Sequence, residues 1–179
     1  MTRTAKLYGS ALYDLAVEEQ CTAELLAELN VLRESFRQEP DFVYLLATPS
    51  LSKEERCGIL DSGFRGKLHP YVLNFLKLLT EKGYIRLFRE CCGCYREAYN
   101  LDHGILEVRA VTAVALNESQ RARLTAKLAG VTGKKICLIE RVDPGCLGGV
   151  RLDFDGKRLD DTVANQLASI GALLKNTVL

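Results

Sequence analysis

Cys91, Cys92 and Cys94 form the densest group of reactive side chains in the chain, with Cys91 and Cys94 spaced as a C-x-x-C pair. At that spacing two thiols exchange disulfides when they open a helix after a strand, where the helix N-terminus lowers the thiol pKa. They hold zinc when a second pair lies at ligand distance. Neither context is met. The pair falls inside a helical pattern, Cys137 and Cys146 belong to a different part of the chain, and His69 and His103 make no ligand pattern. The expectation is a set of buried cysteines acting as small apolar side chains, with no metal and no redox role.

Two other groups suggest chemistry and fail on context. Gly130-Val131-Thr132-Gly133-Lys134-Lys135 hints at a phosphate loop. Such a loop follows a strand, opens a helix and ends in Gly-Lys-Ser/Thr, whereas this segment follows a helix and precedes a strand. A KH-type Gly-x-x-Gly clamp joins two helices, which this segment does not, so a helix C-cap and a turn is the reading. Asp153, Asp155, Asp160 and Asp161 gather carboxylates of the kind that bind a divalent cation. Asp155-Gly156 reads more simply as a hairpin turn, and Asp160 or Asp161 as a helix N-cap. No Ser/His/Asp or Cys/His arrangement can be placed. The sequence supports no enzyme and implies no cofactor.

Composition agrees with an ordinary globular protein. The 179 residues are 47% hydrophobic and 26% charged, with a net charge of +1. That balance gives no electrostatic case for nucleic acid or an anionic membrane. Residues 1–104 carry 13 basic and 15 acidic side chains, and residues 105–179 carry 11 and 8. No run approaches the ~20 apolar residues that span a bilayer, and no leader pattern opens the chain. Seven cysteines at low density fit free thiols in a reducing compartment. The expected location is cytosolic.

The elements that must carry these residues change type near Gly104. Before it, helix follows helix. Leu7, Tyr8, Ala11, Leu12, Leu15 and Ala16 share helical spacing, as do Leu25, Leu26, Leu29, Leu32 and Phe36. A short helix spans Asp41 to Leu46. Ser52-Lys53-Glu54-Glu55 is a capping box, and Pro70 suits a helix first turn. Val72, Leu73, Phe75, Leu76 and Leu79 form a fifth helix ending near Gly83, and a sixth runs from about Tyr84 through Tyr99. After Gly104, Leu106, Val108, Ala110, Thr112, Val114 and Leu116 alternate along a long strand, with Glu107 and Arg109 on the other face. A helix capped at Asn117 ends at Gly130, and Ile136 to Val142 is a second strand. Asp143-Pro144 and Gly148-Gly149 make a hairpin leading to a third strand, Val150 to Phe154. A last helix carries Val163, Leu167, Ile170, Leu173 and Leu174. The expectation is an α+β chain: a six-helix bundle over 1–104, then a small α+β domain over 105–179.

This ordered set resembles the delta subunit family of bacterial-type ATP synthases, called the oligomycin-sensitivity-conferring protein in mitochondria. Tyr8-Gly9-Ser10-Ala11-Leu12-Tyr13-Asp14-Leu15-Ala16 is similar to the family's Tyr-x-x-Ala-Leu-x-x-x-Ala first helix. Leu46-Ala47-Thr48-Pro49-Ser50-Leu51 resembles its loop after helix three, and Val72 to Leu79 its Asn-Phe-Leu helix. Val111 to Leu116 resembles its first C-terminal strand, and Val142-Asp143-Pro144 with Leu147-Gly148-Gly149-Val150 its most specific piece. Tyr84 stands where arginine is usual, Asp160-Asp161-Thr162 where Asp-Gly-Ser is common, and the cysteine cluster is not a family feature.

The resemblance implies a non-catalytic peripheral-stalk subunit of a rotary proton-translocating ATP synthase. The helical domain would grip the N-terminal helix of an alpha subunit in a groove between helices one and five. The C-terminal domain would bind the C-terminal helices of the b subunit, and the whole would resist rotor torque at the cytoplasmic face of the bacterial plasma membrane. No nucleic acid and no membrane insertion are implied. Tyr8, Ala11, Leu12, Phe75, Leu76 and Leu79 are the groove candidates, with core packing the alternative for each. A second class, an RNA-binding or regulatory adaptor, would need a basic stripe with interleaved aromatics. Lys134, Lys135, Arg121 and Arg123 are too sparse to make one.

Overall fold

In the computed structural model, residues 2–163 and 165 are described. The chain is α+β, with seven α-helices and a four-stranded sheet among those residues. It divides into two compact units, one ending at Tyr99 and the other beginning at Asn100.

The first unit holds α1 (Arg3–Glu18), α2 (Thr22–Gln38), α3 (Pro40–Ala47), α4 (Lys53–Phe64), α5 (Pro70–Glu81) and most of α6 (Phe88–Asp102). Each start follows from its capping residues. Thr2 accepts from the Ala5 amide, and Pro40 and Pro70 occupy first-turn positions where no amide is missed. Ser52 and Glu55 exchange the two bonds of a capping box, at 3.2 and 2.8 Å. Glu28 of α2 accepts from the His69 amide at 2.8 Å, so a carboxylate of one helix sits at the positive end of another.

These helices share one core, with Leu25, Leu46, Leu60, Leu76, Leu79, Ile85 and Tyr95 fully enclosed. Each such aliphatic side chain contributes about 1.5–3 kcal/mol of transfer free energy. The Tyr95 hydroxyl is satisfied by donating to the Thr22 carbonyl at 2.9 Å, and its ring meets Tyr13 edge-on at 5.3 Å. Arg56 is also buried. Its guanidinium donates to the Leu46 and Ser52 carbonyls at 3.1 and 3.3 Å, tying α4 to the end of α3.

The buried face of α1 differs from the apolar spacing. Ala5, Gly9, Leu12, Tyr13 and Ala16 face inward, while Leu7 and Ala11 are exposed. Gly9 decides this rotation. A Cβ there would lie 2.6 Å from the Cys91 carbonyl oxygen and 2.7 Å from the Cys94 Cβ, so α1 rests directly on the backbone of α6. The sixth helix starts at Phe88 and not at Tyr84, because a 3₁₀ turn over Ile85–Leu87 precedes it.

The second unit is built on β1 (Ile105–Thr112), α7 (Glu118–Thr132), β2 (Lys135–Val142), β3 (Gly149–Phe154) and β4 (Lys157–Thr162), in sheet order β2-β1-β3-β4. The sheet's inner face carries Leu106, Val108, Ala110 and Leu152, against which Leu124 and Leu128 of α7 pack. The strand expected to reach Leu116 stops at Thr112, whose hydroxyl donates to the Val114 carbonyl at 2.7 Å, and Val114 is exposed. α7 runs past Gly130 to Thr132, and Gly133, in the left-handed region, caps it.

Two readings of the glycine-rich stretch are corrected. β2 and β3 do not form a hairpin: β1 lies between them, parallel to β2 and antiparallel to β3. Residues 143–148 instead cross the end of β1, where the Asp143 amide donates to the Thr112 carbonyl at 2.8 Å and Pro144–Cys146 form a 3₁₀ turn. The segment after Asp155-Gly156 is a strand, so Asp160 and Asp161 lie within β4. The Asp160 carboxylate accepts from the Thr162 amide and hydroxyl. Gly149 is required at the start of β3: its φ is +77°, and a Cβ would lie 2.2 Å from the Asp161 carbonyl oxygen. The expected last helix falls, beyond Val163 and Asn165, outside the described residues.

Candidate functional site

Two contacts link α1 and its C-cap to α5 and the turn after it. The Tyr8 ring lies edge-on to Tyr84 at 5.9 Å, and burial, with Glu19 beside it, pushes the Tyr71 hydroxyl pKa up. Tyr84 is placed by the end of α5. The Gly83 amide bonds the Thr80 carbonyl at 3.1 Å and the Tyr84 amide bonds the Leu79 carbonyl at 2.7 Å, the paired bonds of a Schellman cap. The left-handed φ of +75° at Gly83 allows this closure.

The six groove candidates separate by burial. Leu12, Phe75, Leu76 and Leu79 belong to the core, Tyr8 is half-buried and Ala11 is exposed. The apolar side chains that α1, α5 and the following turn leave exposed or half-buried include Tyr8 and Ala11, and also Leu7, Val17, Leu78 and Tyr84, which were not among the six candidates. Leu7 is 67% exposed, against 39% and 40% for Leu78 and Tyr84. Their signal in the sequence is an i, i+4 step from Leu7 to Ala11, and on α5 a leucine at 78 in line with the exposed Asn74.

The chemical lures resolve as packing. Burial pushes the Cys91 thiol up to about 12, and Cys92 and Cys94 are raised for the same principal reason. Protonated thiols are poor nucleophiles and poor ligands. All seven cysteines are free, and no three His, Cys, Asp or Glu side chains converge on a metal position among the described residues. On the outer sheet surface, Arg158 lies beside Asp153 at 2.7 Å and holds its carboxyl below the usual range. Those charges are spent on one another. Among the described residues no helix is long and apolar enough to cross a membrane.

An adapter surface without reactive groups agrees with the sequence comparison, in which the model of the ATP synthase delta (OSCP) subunit family matches residues 4–174. The chain belongs to that family. The ATP synthase subunit delta of Alkaliphilus oremlandii is 32% identical over 166 residues, covering 93% of this chain and 92% of that protein. Its counterpart in Solidesulfovibrio magneticus is 32% identical over 175 residues, covering 96% and 95%. A chain of the Toxoplasma gondii mitochondrial ATP synthase hexamer has the same fold, with a TM-score of 0.75 over 97% of this chain at 18% identity. The delta/OSCP protein is a structural, non-catalytic subunit of a hetero-oligomeric complex and part of its peripheral stalk.

Proposed function

We propose that this protein couples the catalytic head of a rotary proton-translocating ATP synthase to its b-subunit stalk and holds the head against rotor torque. The helical bundle receives the N-terminal helix of an alpha subunit, and the α+β domain receives the C-terminal helices of b. The complex sits at the cytoplasmic face of the bacterial plasma membrane, and this subunit is held there through its partners.

The observation that carries the head contact is the set of exposed apolar side chains on α1 and α5. Tyr8 of α1 meets Tyr84 just after α5, while Leu7, Ala11 and Leu78 stand free of the core. An amphipathic helix buries such side chains by laying its own apolar face on them, and small Ala11 allows close approach. Leu12, Phe75, Leu76 and Leu79 support that surface from beneath.

The test is titration of the full chain with a peptide of the alpha N-terminal helix, paired with co-purification of alpha and b. Ala11→Asp places a charge on the surface and costs only about 0.5–0.7 kcal/mol of helix propensity, so the fold survives. Binding should weaken at least about tenfold, which is ~1.4 kcal/mol. Unchanged affinity refutes the groove assignment.

A further inference from the structure

A pocket of about 330 Å³ opens on the helical unit, and none of its lining comes from α1 or α5. Its open apolar surface is Phe36, Pro40 and Val43, backed by the buried Ile85 and Phe88, with the Phe36 and Phe88 ring centroids 5.0 Å apart. Its rim is cationic. Arg33 and Arg37 stand one turn apart on α2, and Arg86 and Arg89 come from the 3₁₀ turn and the start of α6. Residues 1–104 have more acids than bases, so this gathering runs against the local balance.

The four guanidiniums are unequally engaged. Arg37 is paired with Glu34 at 2.6 Å, and Arg86 lies over the Tyr44 ring at 5.9 Å. Arg33 and Arg89 have no carboxylate at ion-pair distance among the described residues. Glu39 and Asp41 flank Pro40 at one edge, but neither pairs with a rim arginine.

From this arrangement we infer that the pocket docks an acidic amphipathic helical segment of another protein, with carboxylates on the arginines and a leucine or aromatic side chain on the Phe36–Pro40–Val43 surface. Charge complementarity names the occupant. Arg33 and Arg37 lie about 6 Å apart along their helix axis, a spacing that carboxylates at i and i+4 of a partner helix reproduce. A bare phosphate would use converging guanidiniums and leave the apolar surface uncovered. The inference rests on the proposed function only in naming another subunit of the same complex as the segment's source.

The test uses the full chain and a synthetic helical peptide bearing Glu at i and i+4 around a leucine, with its Gln counterpart as control. The Glu peptide should bind, lose affinity as salt rises, and exceed the Gln peptide by at least about tenfold. The R33Q/R89Q variant should lose that advantage, and R33E/R89E should prefer a Lys peptide. Equal binding of the Glu and Gln peptides, or no saturable binding up to ~1 mM, overturns the inference. So does arginine-dependent capture of inorganic phosphate or phosphatidylglycerol vesicles in preference to the peptide. In the assembled complex, Arg33 and Arg89 should be protected from phenylglyoxal while the exposed Arg65 reacts. If the chain co-purifies with the complex and both arginines stay reactive, the pocket assignment falls and the stalk function stands. If the chain does not co-purify, the stalk function falls and the peptide titration still decides the pocket.

Discussion

Replacing Gly9 by alanine should destabilise the helical unit, although the same change inside an exposed helix stabilises one. The intrinsic preference favours alanine by about 0.8–1 kcal/mol. Against it stands the crossing of α1 over α6, where the new methyl would lie 2.6 Å from the Cys91 carbonyl oxygen and 2.7 Å from the Cys94 Cβ. Ordinary C···O contacts sit at roughly 3.3–3.6 Å, so the helices must separate by some tenths of an ångström over a tightly packed core. Overpacking of this kind costs about 1–3 kcal/mol, and the net is a loss of up to ~2 kcal/mol. Cys94→Ala cannot rescue it, because the atoms met are a Cβ and a backbone oxygen. Gly58→Ala is the internal control: it too lies in a helix, but nothing is within 4 Å of the added carbon, so stability should rise by up to ~1 kcal/mol. Chemical denaturation followed by helical circular dichroism reads both, and for about 100 residues each kcal/mol moves a thermal midpoint by roughly 4–8 °C. A Gly9→Ala protein stabilised as much as Gly58→Ala would refute the close approach of α1 and α6.

Two further outcomes follow from local chemistry. The Cys91 thiol is held up to about 12 by burial while an unfolded thiol ionises near ~8.5, so the folded chain keeps a proton that the unfolded chain releases. Its contribution to stability is therefore complete below about pH 8.5 and is lost as pH rises toward 12; an unfolding free energy that climbs over that interval would contradict it. Ser52→Ala removes one half of the α4 capping box and should cost about 0.5–2 kcal/mol, read as a lower denaturation midpoint; no change would show that the cap is idle.

The legible part of the fold was whatever depends on neighbours in sequence. Capping residues and prolines placed the starts of α4, α5 and α7, and alternation placed the inner residues of β1 and β3. The rotation of α1 was not legible from apolar spacing, because Leu7 and Ala11 are as apolar as a core stripe requires. What turns that helix is the absence of a side chain at Gly9, a negative feature that a hydrophobic pattern does not register. The same gap affected the candidate surface. Periodicity groups Leu12, Leu76 and Leu79 with Tyr8 and Ala11, yet only contact with a third element tells enclosed side chains from presented ones.

Strand pairing marks where local reasoning stops. Two strands joined by a short turn-rich segment read as a hairpin, and Asp143-Pro144 with Gly148-Gly149 supplies every local sign of one. Pairing β2 with β3 would leave β1 without one of its two neighbouring strands. Its residues Val108, Ala110 and Val111 are at or below 1% exposed, which requires cover on both sides of the strand as well as from α7. The strand with the most enclosed side chains, β1, therefore lies inside the sheet, and β2 and β4, whose residues are mostly half-buried or exposed, take its edges. The glycines then serve a crossing over the end of β1 and a close approach to β4 at Gly149, where backbone passes within a methyl's reach of backbone. Among the described residues the surface chemistry of the helical unit is exposed apolar side chains on α1 and α5 and an arginine rim beside α2 and α6.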